Sequence, residues 1–229
     1  FVLSGVKPWC SLAQEVSHAI ITAHTPAGRR AFAVNVTDER LHGRIKVSHG
    51  TWVSRGLADV SSGPVSFDSV PAIPVGEPEW YLNRPGFALG GVGVAAIWFG
   101  GAVGLYQHLL ASAQKRTPDQ LATAWLGEAE RLLAGAGAHL YTAALLAEQN
   151  RLGWEEALRV RGNVAAVCER ILSISGHSTG PGPLTMDADH ARRCADLTVY
   201  IRQHHAARDD AALGEIILNN NGKEAGGSQ

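Results

Sequence analysis

The sequence has few of the features that mark nucleic-acid-binding, disulfide-bonded or metal-binding proteins. Its 20 Lys and Arg residues nearly balance its 21 Asp and Glu residues, giving a formal net charge of −1. Such a balance produces no strong field to attract nucleic acid or acidic lipid headgroups. Its three cysteines, Cys10, Cys168 and Cys194, lie far apart, and no Cys/His spacing is typical of zinc. We therefore expect a cytoplasmic protein with reduced thiols, no bound metal and no nucleic-acid partner.

The N-terminal segment also lacks the pattern of a secretory signal. FVLSGVKPWC has no basic leader ahead of an apolar stretch, and it has the pattern of a β-strand interior. We therefore expect that the chain begins inside a larger protein. One uncharged stretch, Phe87 to Tyr106, is long enough to span a bilayer. Because it is rich in glycine and lacks flanking Lys/Arg bias, we predict a helix buried by neighbouring helices and no membrane insertion.

The first third of the chain has the pattern of a small β domain. Short apolar runs alternate with Gly and Pro turn formers, and these runs occupy 19–23, 31–36, 44–47 and 65–70. Regular spacing of this kind predicts a small β-barrel or sandwich over residues 1–76. Four prolines between 71 and 85 then indicate a connector, whose linker we place at 77–86.

After the linker, the apolar residues recur with a period near 3.6. This predicts long helices at about 89–114, from Thr117-Pro118 to 149, at 154–173, and from about 187 past Ile201. The fold class is therefore α+β: a small β-barrel or sandwich followed by a four-helix up-and-down bundle at 87–218. The polar tail at 219–229 is predicted to be disordered.

The opening segment FVLSGVKPWCSLA contains the most informative motif. It resembles the signature of the acyl-CoA dehydrogenase-like flavoproteins: a strand, Gly5, Lys7, and then an aromatic residue two positions before a Ser or Thr. The resemblance implies that Trp9, Cys10 and Ser11 lie beside FAD, with the indole on the isoalloxazine and the hydroxyl near its reactive nitrogen. A flavin needs such a flat apolar neighbour and donor. The alternative is that Trp9 is an ordinary core aromatic.

Other segments extend this resemblance to nearly the whole chain. TWVSRGLADVSSGPVSFDSVPAIP resembles the family's β-domain segment, in which Trp52, Phe67 and Val70 are structural and Ser61 and Ser62 are left open. GGAVGLYQHLL resembles its first bundle helix, where small residues permit close packing. The resemblance further implies that Arg116 and Gln120 hold the cofactor diphosphate. It also implies that Gly176, in a loop at 175–183, approaches the adenosine of a neighbouring subunit.

The family's catalytic carboxylate has no counterpart in this sequence. Alignment of ADLTVYIRQHHAARDDAALG with the last bundle helix places His204, followed by His205, where many members have the catalytic Glu. The other position used in the family falls on Val94. His204 is the better candidate base from the alignment, because neutral imidazole is available near neutral pH. The alternative is that both histidines belong to a solvated cluster of charges at a helix end.

The resemblance implies an FAD-dependent oxidoreductase acting on the CH–CH group of an acyl-CoA-like thioester. Two alternatives stay open. One is a flavin-dependent monooxygenase of the same fold, in which a histidine assists oxygen chemistry. The other is a catalytically inactive scaffold subunit, which the absent Glu favours. The family also implies a homodimer or homotetramer, and it leaves the electron acceptor open.

Overall fold

The computed structural model describes residues 1–115 and 117–226 of the chain. The chain divides into two compact units, Phe1–Phe87 and Ala88–Gln229. The first unit contains the sheets and the second the long helices, so the α+β class is confirmed.

The β unit consists of two three-stranded antiparallel sheets. Its strands are β1 (Val2–Lys7), β2 (His18–Thr25), β3 (Gly28–Asn35), β4 (Ile45–Val47), β5 (Val65–Pro71) and β6 (Ile73–Val75). One sheet has the order β1-β5-β4 and the other β2-β3-β6, and the described strands form no closed barrel. Strand β6 lies inside the predicted proline-rich connector. Pro74 is tolerated there, opposite Phe32, because β6 is an edge strand and needs no complete set of donors.

Residues from both sheets form one apolar core. Leu3 and Phe67 of the first sheet and Phe32 and Val34 of the second are all buried in it. Alternate residues of a strand point to opposite faces, so each sheet contributes one face to the shared core. The two sheets therefore form a sandwich, as one of the predicted alternatives.

The helical unit contains the four predicted long helices and further short or terminal ones. The helices after the short α1 (Trp80–Asn83) are α2 (Phe87–Gln114), α3 (Gln120–Glu148), α4 (Trp154–Thr179), α5 (Pro181–Met186), α6 (Ala188–Tyr200) and α7 (Ala207–Gly226). Helix α3 begins after Asp119, whose carboxylate accepts from the Ala122 N–H at 2.8 Å. The N-cap of α3 is therefore Asp119, two residues after Thr117, where the sequence predicted the helix to begin.

The predicted disordered tail is wrong for residues 219–226, because they continue helix α7. Once a helix is nucleated, each added residue costs little. In addition, the Asn220 side chain donates to Glu155 Oε2 at 3.3 Å, which ties this part of α7 to α4. Residues 227–229 lie outside the described part of the chain.

Glycines in α2 permit close packing, as predicted. A Cβ atom on Gly101 would lie 3.2 Å from the Leu197 side chain, and one on Gly104 would lie 2.9 Å from Arg193 Nε. Helix α6 can therefore approach the α2 backbone closely. Trp98 and Leu105 of α2 are completely buried.

The prediction that α2 is buried on all sides is wrong for the isolated chain. Only 28% of its most apolar 18-residue window is buried, and Ile97 is 58% exposed. By length and composition alone, α2 could cross a bilayer, as could core helices of many soluble proteins. Its other face packs in the bundle core, and this leaves an apolar outer face on α2.

Candidate functional site

The segment carrying Trp9, Cys10 and Ser11 continues β1 and is held by main-chain hydrogen bonds. The Cys10 N–H donates to the Gly63 carbonyl at 3.1 Å, and the Leu12 N–H donates to the Ser61 carbonyl at 2.8 Å. These bonds attach the segment to the residues that lead into β5. The backbone at Trp9 and Ser11 is therefore fixed by the sheet framework.

Trp9 is not a core aromatic, because its residue is 72% exposed within the β unit. Tryptophan is a large apolar side chain, so leaving it open to solvent forgoes substantial burial free energy. An exposed indole on a rigid segment is typical of a surface that contacts a ligand or another part of a protein. The core interpretation of Trp9 is excluded for this unit.

Ser62, which the sequence left open, orients Ser11. The two hydroxyl oxygens lie 2.8 Å apart, and the Ser62 hydroxyl donates to the Val60 carbonyl at 3.0 Å. A serine hydroxyl has one hydrogen, so Ser11 donates to Ser62 in this arrangement. Because a hydroxyl rotates freely, Ser11 can turn its hydrogen toward a ligand atom while Ser62 stays in place.

A cavity of about 350 Å³ opens beside this segment. Trp9, Cys10 and Ser11 line it together with Lys7 and apolar residues of β2 and β5. Its volume and apolar lining are within the range of small-molecule sites. The exposed indole, the rotatable hydroxyl and the adjoining space fit a flat heteroaromatic ring.

Cys10 and Lys7 are two polar residues of this cavity, and their surroundings shift the pKa of each. Burial raises the pKa of the Cys10 thiol, an effect that the Lys7 ammonium only partly opposes, so Cys10 is a neutral thiol at physiological pH. Burial and the nearby Arg29 lower the pKa of Lys7. The Lys7 ammonium donates to Thr22 Oγ1 at 2.8 Å, which joins the end of β1 to the middle of β2 across the two sheets.

In the helical unit, His205 and Asp209 form a hydrogen-bonded pair at the start of α7. His205 Nδ1 lies 3.2 Å from Asp209 Oδ1, and the His205 backbone N–H donates to Asp209 Oδ2 at 3.1 Å. A carboxylate only accepts, so the hydrogen-bond network assigns the imidazole proton to Nδ1. The side chain of His205 is 66% exposed, which leaves Nε2 with a free lone pair.

His204 has the opposite environment. Its side chain is only 11% exposed, and its Nε2 atom is buried without a hydrogen-bond partner, 3.7 Å from Asp209 Oδ2. Burial lowers the pKa of His204, while Asp209 raises it. Buried and neutral, His204 is packed near Gly162 of α4, and both residues line a cavity of about 490 Å³. Of the two histidines, His205 has the more exposed side chain and His204 lines the cavity.

The predicted residues for the rest of the cofactor are less well placed. Gly176 lies inside α4, not in a loop, and its carbonyl accepts from the Gly180 N–H at 3.1 Å. The residue that ends this helix is Gly180, whose φ of +65° suits glycine. Gln120 is an exposed residue at the start of α3, and Arg116 lies outside the described residues.

A larger cavity of about 560 Å³ lies between the ends of α2, α3 and α4. Its lining includes Asp119 and Ser178, which are close in sequence to Gln120 and Gly176, although neither of those two residues lines it. Gln120 and Gly176 thus lie near one concave region, whereas His205 lies elsewhere in the unit.

Sequence reasoning missed two residues of this site. Asp209 stands four positions after His205, a spacing that would place both side chains on one face of a continuous helix and was a usable signal, although His205 lies in the turn before α7. Arg161, whose side chain reaches the turn before His204, has no such signal, because an arginine in an amphipathic helix is ordinarily on the surface.

Comparison with known proteins identifies the architecture. No protein-family model matches the sequence, and no curated protein matches it. Butyryl-CoA dehydrogenase from Megasphaera elsdenii superposes with a TM-score of 0.78 at 17% identity, over 95% of this chain and 60% of that one. The chain has the acyl-CoA dehydrogenase fold.

Two further solved structures show the breadth of this fold. Glutaryl-CoA dehydrogenase from Mycobacterium smegmatis in complex with FADH2 matches with a TM-score of 0.75 at 16% identity, over 87% of this chain and 53% of that one. The flavoprotein nitroalkane oxidase matches with a TM-score of 0.75 at 17% identity, over 87% of this chain and 55% of that one. The chain thus spans a little over half the length of the proteins that it matches. The resemblance seen in the sequence motifs is confirmed for the fold.

Proposed function

We propose that this chain is part of an FAD-dependent oxidoreductase that acts on the CH–CH group of an acyl-CoA-like thioester. The observation that supports it most is the exposed indole of Trp9, beside Ser11 and an open cavity, in a chain with the acyl-CoA dehydrogenase fold. A bound ring system that covers the exposed indole would remove its apolar surface from water, which favours binding.

Trp9, Cys10 and Ser11 would hold the ring of FAD in this proposal. When bound, FAD supplies a hydride acceptor, which no side chain provides. Trp9 contributes a flat apolar surface, and Ser11 contributes a hydroxyl that Ser62 keeps in position. Gln120 would contact the diphosphate, and Gly176 is a weaker candidate because it lies within a helix.

The proton next to the thioester carbonyl would go to Nε2 of His205. Removing this weakly acidic proton requires a base within hydrogen-bond reach of the carbon. Asp209 accepts from Nδ1 of His205, which fixes the tautomer and stabilises the imidazolium that forms. His205 and Asp209 together therefore take the place of the glutamate that this chain lacks.

Flavin binding and turnover test this proposal separately. The chain is purified with added FAD, and its visible absorbance is measured for the wild type and for Trp9→Ala. We expect bound flavin in the wild type and an affinity about tenfold weaker in Trp9→Ala, which corresponds to about 1.4 kcal/mol. Val53→Ala is the matched control, because Val53 is 85% exposed in the same unit. Equal binding by all three proteins contradicts the role of Trp9.

Reduction of an artificial electron acceptor by an acyl-CoA tests the reaction itself. A flavin-dependent monooxygenase is the second candidate, because a histidine–aspartate pair replaces the carboxylate and because the fold also serves a nitroalkane oxidase. That enzyme would instead consume oxygen in the presence of reduced flavin. Bound flavin without either activity would support the inactive scaffold subunit.

A further inference from the structure

Arg161 is a buried cation in the middle of α4. It is 7% exposed, and across the part of the chain that the structure describes no carboxylate lies within ion-pair distance of it. Burial lowers the pKa of this guanidinium, and the charge of Asp209 partly opposes the effect. Burying a charge without a direct ionic partner costs free energy, so other contacts of Arg161 must offset that cost.

The guanidinium of Arg161 connects three elements. Nη1 donates to the Gly91 carbonyl of α2 at 3.0 Å, and Nη2 donates to the Gln203 carbonyl at 2.9 Å. Its Cζ atom lies 4.9 Å from the centre of the Trp98 ring, in a cation–π arrangement. The planar fork of arginine can serve two carbonyl groups in fixed directions, which a lysine ammonium does less well.

The Gln203 carbonyl belongs to the peptide group that joins Gln203 to His204. A donor fixed on α4 therefore restrains the plane of the peptide at which the turn before α7 begins. His205 follows two residues after Gln203, and Asp209 holds both the backbone and the ring of His205. The restraint at Gln203 and the restraint at Asp209 flank His205 on its two sides.

We propose that Arg161 is the positioning residue for His205, acting through the Gln203 carbonyl to hold the catalytic turn against α2 and α4. This rests on the proposed function for the role of His205. Arg161 contacts neither cofactor nor substrate in this proposal. A displacement of the base by about 1 Å can lower a rate by up to about a hundredfold, so a restraint of this kind matters to turnover.

The charge of Arg161 provides a readout that is independent of turnover. His204 is surrounded by Arg161 from α4, by Asp209 and Asp210 from α7, and by His205 beside it. Burial is the largest cause that lowers the pKa of His204, and the positive charge of Arg161 lowers it further. Removing that charge therefore raises the titration midpoint of His204.

Three variants of the full chain test the proposal. Arg161→Met removes the charge and both donors, and Arg161→Lys keeps the charge but not the fork. Arg159→Met removes an arginine of the same helix that pairs with Glu155 and Glu156. NMR titration follows the His204 ring, and steady-state kinetics with an acyl-CoA give kcat and KM.

We expect a higher titration midpoint for His204 in Arg161→Met, a midpoint close to wild type in Arg161→Lys, and no change in Arg159→Met. We also expect kcat to fall by on the order of ten- to a hundredfold in Arg161→Met and by less in Arg161→Lys, with KM within about twofold. A folded Arg161→Met protein with wild-type His204 titration and kcat overturns the proposal.

The test separates failure of this inference from failure of the proposed function. If the wild type turns over no acyl-CoA, the proposed function fails, and Arg161 is then judged by the His204 titration and by the amide signals of residues 203–205. If Arg161→Met does not fold, Arg161→Lys decides: displaced signals at 203–205 support the restraint, and unchanged signals overturn it.

Discussion

Adjacent residues of one type have different roles here because their surroundings differ. His204 and His205 are neighbours in the chain, yet one is buried without a partner at Nε2 and the other is exposed with an aspartate at Nδ1. A catalytic base needs an accessible lone pair and a fixed tautomer, and of these two histidines His205 has the more exposed ring and an aspartate at Nδ1. The alignment favoured His204, and the catalytic role of either histidine stays a prediction.

We expect His205→Asn to lower kcat of acyl-CoA oxidation by about 10²–10⁴-fold, the usual contribution of a general base. Asp209→Asn should also lower kcat, because the tautomer of His205 is then no longer fixed. The decrease should be smaller than in His205→Asn, because the imidazole itself is kept. Steady-state kinetics measure both, and His177→Asn, at an exposed position of α4, serves as the control. Wild-type activity of His205→Asn would show that the base is elsewhere.

His190 makes the stability of the helical unit depend on pH. Burial lowers the pKa of His190, and the neighbouring His108, stacked 4.1 Å away, lowers it further. The unfolded chain thus binds a proton more readily than the folded one. The contribution of His190 to the free energy of unfolding is therefore fully present above pH 6.5. It is lost as the pH decreases from 6.5 toward the pKa of His190 in the folded state.

Urea unfolding at pH 7.5 and at pH 5.5 tests this dependence. We expect the loss of stability on acidification to be smaller in His190→Asn than in the wild type. His177→Asn should retain the full loss, because His177 is exposed. An identical pH dependence in all three proteins would contradict the assignment to His190.

Among the elements, α2 and α6 show how glycine determines helix packing. Gly100 and Gly101 are adjacent, but a Cβ atom on Gly100 would meet nothing within 4 Å, whereas one on Gly101 would press against Leu197. The same residue type is therefore required at one position and replaceable at the next.

Gly101→Leu should destabilise the protein by about 1–3 kcal/mol, because the added side chain overpacks a filled interface. Gly100→Ala should stabilise it by about 0.5–1 kcal/mol, because alanine restricts the unfolded chain and favours helix. Chemical denaturation of the two variants gives the comparison. A neutral Gly101→Leu would mean that α6 can move away from α2 at no cost.

At the scale of the whole molecule, the outer face of α2 is an apolar surface that the isolated chain leaves exposed to solvent. Ile97 is 58% exposed and Leu89 51% exposed on a helix with no charged residue between Phe87 and Tyr106. Exposed apolar surface of this kind favours association with a second apolar surface. A homodimer or homotetramer, as expected from the resemblance, would cover it.

Ile97→Glu should therefore lower the molar mass measured by light scattering toward that of the monomer. Gln107→Glu adds the same charge at an exposed polar position of the same helix and should leave the mass unchanged. If the wild type is monomeric and instead floats with lipid vesicles, α2 contacts a membrane and the oligomer proposal fails.

Most of the secondary structure was predictable because local patterns encode it. The periods of apolar residues gave the four long helices, and turn residues separated β2, β3, β4 and β5. Strand β6 and the end of helix α7, at 219–226, were missed because a proline and a polar tail are locally unfavourable, and tertiary contacts override such preferences. Gly176 was misplaced for the same reason: a glycine favours a loop locally, yet α4 continues through it.

The candidate site likewise has a part that the sequence predicted and a part that it did not predict. The motif around Trp9 and Ser11 is contiguous in the chain, so the sequence alone predicted it. The contacts of Asp209 and Arg161 depend on side chains that meet across turns and helices, up to 42 residues apart in the case of Arg161 and Gln203. No local pattern encodes the contact of Arg161 with Gln203, whereas the four-residue spacing of His205 and Asp209 was a usable local signal.

The sequence by itself determined the order of a β region followed by long helices, the motif at the opening strand and the absence of the usual glutamate, because periodicity and residue identity are local properties. Only the tertiary structure decided which histidine is accessible, which serine contacts Ser11 and which arginine contacts the turn before α7. Burial and hydrogen-bond partners arise from the packing of distant segments, and they set whether an imidazole is available as a base.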